Sequence, residues 1–219
     1  MSRNSEYFTE ENHDEFTAGM LNYLELNARI RKRIPFTINN LAILIIDLQK
    51  EFLHPEGKAF LKSSSQLLVN VTKLINWGRK FSVPVFFTKH AHLPSDSGGM
   101  MSKFYRTLLM EGSFGSELII DTMSNEKVIT KNTYDAFYGT FLEDSLRKAG
   151  VNRLIISGVL THLCCETTAR SAFVRGFEVF LPVDGTATFN SELHKSSLLG
   201  MVDSCVVPLT IRDITSCQR

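Results

Sequence analysis

The sequence predicts an α/β fold: a single-domain three-layer α/β/α sandwich around a mostly parallel, Rossmann-like six-stranded sheet. Three observations carry this. Six short runs of aliphatic and β-branched residues, at 41–46, 83–87, 127–129, 154–156, 178–181 and 205–207, read as strands buried on both faces. Amphipathic segments with helix punctuation lie between them. The alternation of the two is the pattern of a doubly wound sheet, and 219 residues suit one core.

Taken in order, residues 13–33 form an amphipathic helix with Phe16, Met20, Tyr23, Asn27 and Ile30 on one side and Ile34-Pro35 as its stop. This makes residues 1–35 an N-terminal helical extension and 36–219 the main domain. Arg29, Arg31, Lys32 and Arg33 fall at the helix end, where cations are favoured by the dipole, and do not require nucleic acid. Ser63-Ser64-Ser65 precede a helix marked by Leu67, Leu68, Val71, Leu74 and Ile75. Two more helices, over 140–150 and 161–176, each end on a glycine placed as a left-handed cap. The loop 92–115 is made adaptable by Gly98-Gly99 and Gly112, and its Met100, Met101, Phe104 and Tyr105 either fold over a pocket or pack elsewhere.

With 43% apolar residues, 21% charged residues and a formal charge of +1, the chain has no broad basic surface for phosphate backbones or anionic lipid. Neither nucleic acid nor membrane is expected as a partner; a small-molecule substrate is. The first residues lack an apolar leader, so the expected location is cytoplasmic, where the four cysteines would be thiols.

In an open parallel sheet ligands bind at the carboxyl ends of strands. The polar residues that end these runs are Asp47, His90 and Lys131, together with the turn from Gly158 to Cys164. An acid, a base and a thiol would share one rim. Cys164 is expected in the first turn of a helix, whose partial positive charge and free N–H groups stabilise a thiolate and a developing oxyanion. Cys165, about 100° further round such a helix, reads as core. Each residue also has a plain alternative: Cys164 as packing, Asp47 as a cap for the 48–52 turn, Lys131 as a solvated strand end.

The stretches Ile46-Asp47-Leu48-Gln49-Lys50-Glu51-Phe52, Lys131-Asn132-Thr133-Tyr134-Asp135-Ala136-Phe137 and Gly158-Val159-Leu160-Thr161-His162-Leu163-Cys164 resemble the isochorismatase-like cysteine hydrolases, which include nicotinamidases and N-carbamoylsarcosine amidases. The resemblance implies an Asp47–Lys131–Cys164 triad, a cis peptide between Val159 and Leu160, and an oxyanion hole of the Leu160 and Cys164 amides. It also implies a homo-oligomer, and a pocket walled by Phe52, Tyr134 and Phe137, the last with a core role as its alternative. His90 falls at a position that lines the pocket in the family and would hydrogen-bond substrate. Nicotinamidases carry Asp-Trp-His, part of a metal site, where this chain has Thr88-Lys89-His90-Ala91-His92, so neither a metal nor another cofactor is expected; Asp96 would be the third ligand if one bound. Isochorismatases usually have glycine at the position of Cys164, and the thiol here favours hydrolysis of an amide, ureido or carbamoyl C–N bond through a thioester. The alternatives are vinyl-ether hydrolysis, which needs Asp47 but not Cys164, and an idle binding protein of the same fold.

Overall fold

Each of the six apolar runs becomes a strand in the computed structural model, which describes residues 4–28 and 34–217. They are β1 (Leu41–Ile46), β2 (Val85–His90), β3 (Lys127–Lys131), β4 (Arg153–Val159), β5 (Glu178–Pro182) and β7 (Val207–Leu209), and a two-residue β6 (Thr186–Ala187) adds a seventh beside β4. All pairs are parallel, in the order β3-β2-β1-β4-β5-β7. The chain builds outward from β1 to β3, then returns to lay β4 on the other side of β1. This reversal opens a crevice between the carboxyl ends of β1 and β4.

Two strands start later than the apolar pattern predicts. Ser82 is left-handed (φ 56°) and Pro84 follows, so a turn occupies the residues before Val85. Cys205 and Val206 both donate backbone N–H groups to the Met201 carbonyl, finishing a helix before β7 begins.

Helices α1 (His13–Asn27), α5 (Leu142–Lys148), α6 (Glu166–Val174) and α7 (Ser191–Ser204) cover one face of the sheet, and α3 (Ser64–Lys80) and α8 (Ile211–Ser216) the other. Strand β1 divides its side chains by period two: Ala42, Leu44 and Ile46 enter one core, Leu41, Ile43 and Ile45 the other. All six are buried, and each large one contributes roughly 1.5–3 kcal/mol relative to exposure. Helix α1 packs through Thr17, Met20 and Leu24, with Phe16 and Tyr23 beside them. It ends at Asn27, which continues the Met20–Leu24 face but is exposed at the helix end, its amide donating to the Tyr23 carbonyl. Ile30 and the basic cluster at 29–33 lie outside the described residues. Ser63 precedes α3 without capping it, its hydroxyl accepting the Tyr7 N–H instead. Helices α5 and α6 are shorter than expected, and the glycines beyond them, Gly150 and Gly176, are left-handed (φ 70° and 80°). No described helix is long and apolar enough to cross a membrane.

Candidate active site

At the end of β1, Asp47 leaves the strand conformation with φ 49°, in the left-handed region that aspartate enters more readily than most residues. This turns its carboxylate across the sheet edge, away from the 48–52 turn; the short helix there, α2 (Lys50–Leu53), is preceded by Gln49. The Thr88 hydroxyl donates to Asp47 Oδ1 at 2.6 Å, and Lys131 Nζ donates to Oδ2 at 2.7 Å. Lys131, the last residue of β3, also donates to the Thr133 carbonyl (3.1 Å) and to Cys164 Sγ (3.3 Å). Its three N–H groups therefore have three acceptors, as a buried ammonium requires.

The register is held from below by Gln49, which is fully buried. Its amide donates to the His90 and Ser116 carbonyls, both at 2.9 Å, and its Oε1 accepts the His90 N–H at 2.7 Å. Gln49 thus ties the end of β1 to the end of β2. On the other side Gly158 (φ 123°) passes so close to β1 that a Cβ would stand 2.1 Å from the Ile46 carbonyl oxygen. Only glycine allows β4 to carry the cysteine turn this near to Asp47.

The turn itself differs from the expected first turn of an α-helix. The Val159–Leu160 peptide is cis, residues Thr161–Cys165 form one π-helical turn, and α6 begins at Glu166. The Cys165 N–H donates to the Leu160 carbonyl across five residues. Behind the turn, buried His194 contacts Thr161 Oγ1 through Nδ1 (3.0 Å) and the Val183 carbonyl through Nε2 (3.1 Å). Burial pushes the His194 pKa down to about 4, so it is a neutral strut near pH 7. Cys164 is 7% exposed and borders a cavity, whereas Cys165 is 0% exposed and belongs to the core, as its position predicts.

The charge state of the site also departs from expectation. The Cys164 thiol is pushed up to about 12, by burial first and by the Asp47 charge, against the opposing pull of Lys131. Burial pulls Lys131 down, but the charges of Asp47 and Cys164 outweigh it and leave the ammonium raised to about 12. The resting arrangement is a buried Lys131–Asp47 ion pair beside a neutral thiol whose sulfur accepts a hydrogen bond from Lys131. Burial and the neighbouring carboxylate both oppose the thiolate that a helix end would favour.

The cavity over Cys164 measures about 490 Å³. Phe52, His90 and Tyr134 line it as expected, together with Leu160 and Leu163 beside the cysteine. Phe137 does not: it is core, in ring contact with Phe177 and covered by Arg175. The 92–115 loop contains a short helix, α4 (Gly99–Phe104); Met101 and Tyr105 line the cavity, and Met100 and Phe104 point to solvent. The Tyr105 and Tyr134 hydroxyls meet at 2.5 Å.

These distances join one motif from each of three strand ends, and the match with known proteins covers the same stretch. The family model for the isochorismatase domain matches residues 41–213. The chain belongs to the isochorismatase family. Nicotinamidase 3 of Arabidopsis thaliana is 40% identical over 165 residues, covering 73% of this chain and 79% of the plant protein. Enterobactin synthase component B of Escherichia coli is 29% identical over 160 residues, and the alignment spans 72% of this chain but only 56% of that relative. A solved cysteine hydrolase from Pseudomonas syringae pv. phaseolicola has a TM-score of 0.80 at 24% identity, covering 84% of this chain and 94% of that one, a likeness of fold.

Within this isochorismatase-family hydrolase, burial and the nearby Lys131 charge hold His90 down to about 4, so its ring is neutral near pH 7. Its Nδ1 and both ring nitrogens of His92 are buried without hydrogen-bond partners, and the two rings lie 5.2 Å apart. Asp96 Oδ2 is 3.8 Å from His92 Nδ1 but accepts from the Leu93 N–H and the Asn132 amide. No three His, Cys, Asp or Glu side chains among the described residues gather as a metal-binding set. Two imidazoles and a carboxylate engaged elsewhere do not fit the metal of the nicotinamidases. Thr88 and Gln49 were not singled out from sequence; a threonine between Phe87 and Lys89 in a buried strand was the available signal.

Proposed function

We propose that this hydrolase is a cysteine amidohydrolase, cleaving the C–N bond of a small amide, ureido or carbamoyl compound through a thioester on Cys164. The observation that carries the reading is that one sulfur borders the cavity and lies 3.3 Å from a lysine that is itself 2.7 Å from a buried carboxylate. The relative named nicotinamidase supports the amide class.

Asp47 takes the Cys164 proton as the sulfur attacks the substrate carbonyl, so the thiolate forms only when its electrons are being used. Until then the raised thiol stays protonated. The carbonyl electrons move onto oxygen, where the Leu160 and Cys164 amides form the oxyanion hole. Lys131 balances the charge that passes between sulfur and Asp47. On collapse the C–N bond breaks and Asp47 returns its proton to the leaving nitrogen. Water, deprotonated by the same carboxylate, then attacks the thioester; the acid departs and the thiol regains its proton. Phe52 and Tyr134 hold the substrate body, and no step requires a metal.

A panel of small amides with ammonia detection tests this. Wild type is expected to release ammonia from a subset and Cys164→Ala from none; equal release by the variant would overturn the reading.

A further inference from the structure

A carboxylate that has no part in the chemistry above lines the cavity. Glu51, on α2 immediately before Phe52, is half-buried in the cavity wall. Gly115 faces this carboxylate, and a Cβ there would press on Glu51 Oε2, the flexible end of the side chain. Burial raises the pKa of this carboxylate, and the nearby Lys58 charge opposes the rise. Glu56 and Lys58 stand exposed at the same cavity. The remaining charges are compensated, since Lys131 pairs with Asp47 and His90 is neutral. No arginine is among the described residues that line the cavity, and most of the wall is aliphatic or aromatic.

A half-buried carboxylate that has lost part of its hydration favours an ammonium or a strong N–H donor and repels a second carboxylate. Resting on the amidohydrolase reading, we infer that Glu51 selects the substrate: the site takes a small amide, ureido or carbamoyl compound with an apolar body that also carries an amine, and turns away compounds carrying a carboxylate. This selection bears on vinyl-ether hydrolysis too, because an anionic ether would meet Glu51 with like charge. Gly115 leaves the carboxylate room in this position beside Leu109.

Three amides of matched shape test this: 4-(aminomethyl)benzamide, 4-methylbenzamide and 4-carboxybenzamide. Dissociation constants are measured by calorimetry on the full chain carrying Cys164→Ala, and ammonia release is followed on the chain with Cys164 intact. The amine should bind about tenfold more tightly than the methyl compound, and the carboxylate about tenfold more weakly. Adding Glu51→Gln, which keeps the shape and removes the charge, should bring the three within about threefold while the methyl compound changes little. Gly115→Ala should weaken the preference by displacing the carboxylate, with Glu51 itself unaltered. Equal binding of the three amides, or an order that survives Glu51→Gln, overturns the inference. The expected binding order with no ammonia release from any of them contradicts the amidohydrolase reading but leaves the selection by Glu51 intact, so the two failures are distinguishable.

Discussion

The floor and the roof of the cavity are built on different physics. Asp47, Lys131 and Cys164 come from strand ends and a turn braced by Gln49, His194 and Gly158, and the polar atoms of Asp47 and Lys131 are paired inside the protein. The roof, residues 93–113, is anchored at one end by backbone hydrogen bonds of His92 with Leu109 and Glu111, and otherwise by few polar contacts: the Tyr105–Tyr134 hydroxyls, Asp96 to Asn132, and Lys89 to Glu111 at 2.6 Å. It leaves Leu93, Met100 and Phe104 facing solvent. A floor without orientational freedom suits charge movement, which needs fixed dipoles, and a loop that can be repacked suits discrimination among substrates.

The largest expected effects fall on the floor. Cys164→Ala and Asp47→Asn should each lower kcat by at least about 10³, since members of such a unit fail together. Lys131→Met should lose as much activity and also lower Tm, because it strands the buried Asp47 charge at a cost of about 3–5 kcal/mol. Thermal melts beside the kinetics separate the two losses. A floor variant that keeps a tenth of the rate would dissolve the contrast. At the roof, Tyr105→Phe removes one hydroxyl of a pair and should raise KM by about two- to fivefold with kcat unchanged, the scale of one hydrogen bond. A fall in kcat as large as that of the floor variants would make the roof part of the chemistry. The smallest effect, none, is expected from exhaustive dialysis against a chelator. Activity lost there and restored by zinc or iron would show that His90, His92 and Asp96 do gather a metal.

The floor was legible in the sequence because buried parallel strands read as unbroken apolar runs, so the polar residue that ends each run stands out. Asp47, Lys131 and the turn to Cys164 were found in this way, and motif resemblance joined them. Gln49 and Thr88 were not, because their roles exist only once β1 is paired with β2, which no local pattern encodes. The surroundings of the thiol are not legible for a related reason: a helix-end effect can be read from sequence spacing, whereas burial and the distance to Asp47 are properties of the assembled site. Phe137 and Tyr134 sit three residues apart in one motif, yet one fills the core and the other the cavity. The roof was readable only as an adaptable loop, since its glycines announce freedom but not which of Met100, Met101, Phe104 and Tyr105 turns inward.

The most direct test of the central claim is the mass of the Cys164 peptide after rapid acid quenching during turnover of an amide that the enzyme hydrolyses. Formation of the acyl-enzyme at a rate comparable to its breakdown should leave an adduct of the substrate's acyl mass on that peptide, released by hydroxylamine and absent in Cys164→Ala. A Cys164 peptide that stays unmodified during turnover, together with a Cys164→Ala variant that keeps a tenth of the wild-type rate while Asp47→Asn loses it, would contradict the account and make Asp47 the centre of a reaction without a covalent intermediate.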